Sequence, residues 1–211
     1  YGSNEAYGKN LYEEVYRFSL FAEEVAKEEA DSEIIHAHDW MTYQAGLKAK
    51  HVLKKPLVVH IHATEYDRTG GNPNPYIRAI EEQGLREADL VIANSNFTKN
   101  NVLKHYNIAP DKIEVVHWGI DPSNPAYFQN YSNKLNKKEK IVLFLGRVTI
   151  QKGPDYFVEA ARRVLDFYPD VKFVVAGSGD MLPRMIHRSA ELGMSDKMLF
   201  AGFLKGDDVH K

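Results

Sequence analysis

Short apolar runs, each about the length of one strand, alternate with segments of helical spacing along nearly the whole chain. The runs are Ile34-Ile35, Leu57-Val58-Val59-His60-Ile61, Leu90-Val91-Ile92-Ala93, Ile113-Glu114-Val115-Val116, Ile141-Val142-Leu143-Phe144-Leu145, Val171-Lys172-Phe173-Val174-Val175-Ala176 and Met198-Leu199-Phe200-Ala201. Between them the spacing predicts helices near 42–53, 76–86, 96–105, 154–167 and 181–192. A further helix within 10–29 carries Leu11, Val15, Phe18, Phe21, Ala22 and Val25 at helix-face spacings. Strands that are apolar throughout are covered on both faces, the condition of a parallel sheet between helices. Right-handed crossovers then give a doubly wound sheet, and the fold class is α/β.

One boundary interrupts the pattern. Residues 129–140 are polar, poor in core formers and preceded by Pro122 and Pro125, which is linker chemistry. A fresh strand–helix pattern opens at Ile141. The expectation is two Rossmann-like units: residues 1–125, a linker over 126–140, and 141–211. Tyr1-Gly2-Ser3-Asn4 carries no basic or apolar leader, and 206–211 resembles the first turn of a helix. Both units are therefore expected to be incomplete pieces of a longer protein.

Lys and Arg number 27 against 29 Asp and Glu, so no basic excess marks a nucleic-acid binder. Cysteine is absent, which excludes disulfides, thiolate metal sites and cysteine nucleophiles, and suits the reducing cytoplasm. No apolar run approaches the roughly 18 residues that a transmembrane helix needs.

The segment Leu143-Phe144-Leu145-Gly146-Arg147-Val148-Thr149-Ile150-Gln151-Lys152-Gly153-Pro154 is the most informative. A buried strand ends at Gly146, and proline suits the first turn of the helix that follows. Ligands of open α/β sheets bind outside the carboxyl ends of the strands, where this loop lies. Arg147 and Lys152 stand there beside the positive end of a helix dipole, a pair that suits a departing diphosphate. The competing reading is two solvated surface cations. Gly177-Ser178-Gly179-Asp180 follows the next strand and offers either close backbone approach or an ordinary tight turn. Neither segment completes a dinucleotide fingerprint or a Walker A loop.

Two strands of the first unit end in His36-Ala37-His38-Asp39-Trp40 and His60-Ile61-His62-Ala63-Thr64-Glu65-Tyr66-Asp67-Arg68. Period two puts each histidine pair on one side of its strand. His38 and His62 lie nearer the crevice and lean towards function, while His36 and His60 lean towards buried, satisfied histidines. The pairs with Asp39, Glu65 or Asp67 also make a candidate zinc site, which would belong to a metal-dependent hydrolase. A non-catalytic nucleotide- or carbohydrate-binding module is the third class. Ser95 reads first as an N-cap, with ligand contact second. Gly70-Gly71-Asn72-Pro73-Asn74-Pro75 reads as a mobile loop beside the crevice.

The ordered set His38-Asp39-Trp40, His62-Ala63-Thr64-Glu65, Ala93-Asn94-Ser95, Gly119-Ile120-Asp121, Phe144-Leu145-Gly146-Arg147 with Lys152-Gly153, Ala176-Gly177-Ser178-Gly179 and Gly202-Phe203-Leu204 resembles the family 4 retaining glycosyltransferases, and most of all their glycogen- and starch-synthase-like members. The resemblance implies a two-domain GT-B fold with transfer in the cleft, and neither metal nor cofactor beyond the donor. It implies that Gly146, Arg147, Lys152 and Gly177 bind a nucleotide-diphosphate sugar such as UDP- or ADP-glucose. His62 and Asp39 are the implied catalytic residues, with His38, Glu65, Arg68 and Ser95 on the side of a glycan or small-molecule acceptor. The family's N-terminal glycine-rich loop would precede Tyr1, and its carboxyl-terminal glutamate pair would follow Lys211. The chain by itself is therefore expected to be inactive.

Overall fold

The computed structural model describes residues 10–119 and 140–205. The chain divides into two compact units at Gly119. The expected linker, apart from Lys140, lies outside the described residues, as does the expected helix turn at 206–211.

In the first unit α1 (Leu11–Glu28) leads to β1 (Ile35–His38), α2 (Trp40–Leu53) and β2 (Leu57–Ile61). The short α3 (Glu65–Arg68) and α4 (Pro75–Glu87) precede β3 (Leu90–Ala93), α5 (Asn96–His105) and β4 (Ile113–Val115). The strands form one parallel sheet in the order β1-β2-β3-β4, as continuous apolar runs separated by helices require. All five residues of β2 are buried. The core gathers Trp40, Tyr43, Leu57, Val59, Ile61, Ile77, Leu85 and Val91. At Gly84 a methyl group would stand 2.3 Å from Cδ2 of Tyr43, so glycine is what lets α4 close on α2.

Local chemistry places the helix starts. The Asn74 carboxamide oxygen accepts from the Tyr76 and Ile77 N–H groups, with Pro75 in the first turn. Asn74 also donates to the Tyr12 hydroxyl at 3.0 Å, so the glycine–proline loop expected to be mobile is anchored at this end. The face of α1 differs from the expectation. Val15, Ser19 and Ala26 are buried, whereas Phe18, Phe21 and Val25 are exposed. The helix thus buries the small side chains Ser19 and Ala26 and turns Phe18 and Phe21 outward.

The second unit contains β5 (Lys140–Leu145), α6 (Pro154–Leu165), β6 (Val171–Ala176), α7 (Leu182–Glu191) and β7 (Met198–Gly202). Its parallel sheet runs β5-β6-β7. Val148, Val158, Phe173, Val175, Met185 and Met194 form its core. β5 departs from the expected burial on both faces, with Ile141, Val142, Leu143 and Leu145 exposed. Among the described residues β5 has one neighbouring strand, and Phe144 is its residue that joins the α6 side, against Phe157 at 5.4 Å.

Candidate functional site

The carboxyl ends of β1 and β2 carry four imidazoles. Parallel register pairs His38 with His60, and period two puts His36, His38, His60 and His62 on one face. Ring centroids lie 4.2 Å apart for His36 and His38, 5.2 Å for His38 and His60, and 4.2 Å for His60 and His62. His38 Nδ1 lies 3.0 Å from His62 Nε2, so one ring donates to the other. Burial, then the neighbouring imidazoles, lowers the pKa of His36 and brings that of His60 down to about 4. Burial also lowers His62, against the opposing pull of the Asp39 carboxylate. The expectation of two buried, satisfied histidines changes here: His36 is exposed, and buried His60 has no hydrogen-bond partner at Nε2.

Asp39 turns the chain from β1 into α2 with φ 58° and ψ 170°, a region that residues other than glycine rarely enter. Its Oδ1 accepts from the His62 N–H at 2.9 Å and lies 3.4 Å from Arg68. Its own N–H donates to the His60 carbonyl. The strained residue thus clasps the ends of both strands.

Arg68 is 16% exposed and sits among Asp39, Glu65 at 3.8 Å and Glu81 at 2.7 Å. Buried Glu65 accepts from the Asn74 N–H, and Glu81 accepts from the Glu65 N–H and the Tyr106 hydroxyl. Burial raises the Glu81 pKa even though Arg68 opposes it. Glu65 and Arg68 therefore stand inside an ion-pair cluster that meets the carboxyl ends of β1 and β2 through Asp39, whereas His38 is exposed. Asp67 is committed to the Thr64 capping box and to Asn101. Ser95 caps α5, accepting from the Thr98 N–H.

Trp118 was missed in the sequence, and Asn94 was named there only as part of a motif, without a role. Exposed Trp118 meets the His62 ring edge to face at 4.9 Å, and Asn94 donates to the His62 carbonyl. Their signal was position alone, since each follows a strand at the same sheet edge.

In the second unit the turns after β5 and β6 lock together. The Gly146 N–H donates to the Ala176 carbonyl, Val148 to Ser178, and Met181 to Val148. A methyl group at Gly177, where φ is +147°, would stand 1.8 Å from the Gly146 carbonyl oxygen. These glycines hold the two turns at backbone contact. Arg147 and Lys152 both lie exposed between β5 and α6, and Arg147 donates to Gln151 at 3.3 Å. Gly153, left-handed at φ 61°, then starts α6 with Pro154. Two cations thus share one short turn at the carboxyl end of a parallel strand, beside a helix N-terminus, an arrangement able to hold an anion.

Comparison with known proteins bears on both units. The profile of Glycosyltransferase Family 4 matches residues 5–124, and that of Glycosyl transferases group 1 matches 128–211. An uncharacterized glycosyltransferase of Methanocaldococcus jannaschii is 35% identical over 190 residues, 85% of this chain and 48% of the relative. D-inositol 3-phosphate glycosyltransferase of Mycobacterium sp. (strain JLS) is 30% identical over 92% of this chain and 48% of its own length. The chain spans about half the length of these curated relatives. Anabaena HepE, solved with UDP and glucose, superposes with a TM-score of 0.70 at 19% identity, over 90% of this chain and 52% of its own. Sucrose-phosphate synthase of Thermosynechococcus elongatus gives 0.73 at 19%, over 93% and 51%. These two likenesses show the fold, parallel sheets in two sets as in GT-B glycosyltransferases. No helix among the described residues is long and apolar enough to cross a membrane. Matched along both units, the chain belongs to the group 1 glycosyltransferases of the family 4 type.

Proposed function

We propose that the full-length protein transfers a hexose, glucose in the first instance, from a nucleotide diphosphate to a hydroxyl of a glycan or small-molecule acceptor. The reaction retains the anomeric configuration and is of the glycogen- and starch-synthase kind. It needs no cofactor beyond the donor, and the reducing cytoplasm suits it.

The observation that carries this reading is the exposed pair Arg147 and Lys152 on one turn, in a chain of this family. In the proposal Arg147 grips diphosphate oxygens as a fork and Lys152 adds a point charge, and both stabilise the charge that grows as the phosphate leaves. Gly146 and Gly177 leave the backbone bare for close approach. His62, braced by Asp39 and His38, faces the transferred sugar, and the acceptor hydroxyl attacks from the face that the phosphate departs. His38 and Ser95 lie on the acceptor side, while Glu65 and Arg68 set the position of Asp39. The complex of Anabaena HepE with UDP-glucose favours a UDP-linked donor, with ADP-glucose next.

A turnover screen of the full-length protein with UDP-glucose, ADP-glucose, UDP-GlcNAc and GDP-mannose tests the reading. Release of nucleotide from a glucose donor, with the sugar product keeping its anomeric configuration by NMR, is the expected result. No turnover with any donor rejects transfer, and an inverted product rejects retention.

A further inference from the structure

The face of four imidazoles is suited to a second kind of ligand. We infer that His36, His38 and His60 form a binding site for a divalent transition-metal ion, zinc above all.

Among the described residues these three offer one ligand nitrogen each, all within 4.8 Å of one another. The placement is built into the sheet, since His36 and His38 alternate along β1 and His60 stands opposite His38 on hydrogen-bonded β2. The rings therefore stay together without any loop having to order. Nitrogens around one tetrahedral zinc stand about 3.3 Å apart, given Zn–N bonds of ~2.0–2.1 Å. His36 and His38 are exposed, so an ion can reach them from solvent.

A second observation points to a ligand. His60 is only 9% exposed, and its Nε2 is buried with no hydrogen-bond partner. Most buried polar atoms are satisfied, and an orphaned imidazole nitrogen beside two further imidazoles is one that a bound ion would satisfy. His62 contacts His38 at 3.0 Å, the kind of outer support that steadies a metal-bound ring.

The donor set selects the ion. Three neutral nitrogens suit zinc, copper or nickel, whereas magnesium and calcium favour oxygen. The carboxylates nearby are engaged elsewhere, Asp39 by the His62 N–H and Arg68, Asp67 by Thr64 and Asn101. Three protein ligands leave a zinc one open position for water or an outside donor. Sugar transfer as proposed above does not use this ion, so either idea can fail alone.

The test uses the tag-free full-length protein, stripped with chelator and titrated calorimetrically with zinc chloride and with magnesium chloride. Stoichiometric zinc binding at micromolar or tighter affinity is expected, with none for magnesium. His36→Ala, at an exposed position, should weaken zinc about tenfold or more. His187→Ala, at the exposed partner of Glu191 on α7, should leave binding unchanged. Copper(II) bound in place of zinc should show nitrogen couplings in its electron paramagnetic resonance that His36→Ala reduces. Absence of zinc binding, equal affinity in the two variants, or a copper spectrum that His36→Ala leaves unaltered overturns the site.

Discussion

Asp39 holds a backbone conformation that costs ~1–3 kcal/mol outside glycine, and it is kept there by the His62 N–H and Arg68. Strain of this kind is separable from the carboxylate's own work. Asp39→Gly and Asp39→Ala both lose the carboxylate, but glycine accepts φ 58° freely. Urea denaturation should find the glycine variant more stable than the alanine variant by about 1 kcal/mol or more. Equal stabilities would show that the backbone there is not strained. Arg68 is the cation common to Asp39, Glu65 and Glu81. Arg68→Ala should destabilise the fold by about 3–5 kcal/mol, because it strands buried carboxylates. Arg68→Lys should recover little of that, since a point charge cannot serve three directions at once. At this scale the sequence was half legible. Period two disclosed the histidine face, because strand geometry alone fixes it. The committed state of Arg68 and Glu65 was hidden, because their partner Glu81 lies on a separate helix and no local spacing announces it.

The strands were legible wherever an apolar run met a turn, and the elements differ from expectation where neighbours decide. The outward aromatics of α1 are one case, since spacing reveals a stripe but not which residues a partner helix will accept. β5 is another, because an apolar run is buried only as far as other elements cover it. Between elements, one clasp is open to a pH test. The Asp89 carboxylate at the start of β3 accepts from the Leu57 N–H at the start of β2 and lies 2.8 Å from Lys50 of α2. The Lys50 hydrogen bond, then the Leu57 N–H, lowers its pKa below the usual 3.8. A carboxylate depressed in the folded state adds stability that is present above its unfolded value and lost as pH falls through its folded value. Asp89→Asn should therefore flatten the loss of stability below about pH 4, followed by urea midpoints across that range. An unchanged acid slope would remove Asp89 from the account.

For the whole molecule, the alternation of strands and helices was enough to set the class, since few architectures bury continuous apolar strands. The polar stretch before residue 141 was the ground for expecting a second unit to open there, and the two compact units divide at Gly119. The family became visible through ordered short motifs, each weak alone. What the chain acts on was not written at this scale, because sugar, base and acceptor are chosen by details that no periodicity carries. The account rests on Arg147 and Lys152 gripping a diphosphate. Calorimetric titration of UDP and of ADP into the full-length protein, beside its Arg147→Ala and Lys152→Ala variants, tests that most directly. Loss of a charge-assisted contact is worth roughly 1.5–3 kcal/mol, so each variant should bind the preferred nucleotide about one to two decades more weakly. Affinities that match the parent protein's in both variants would contradict the account.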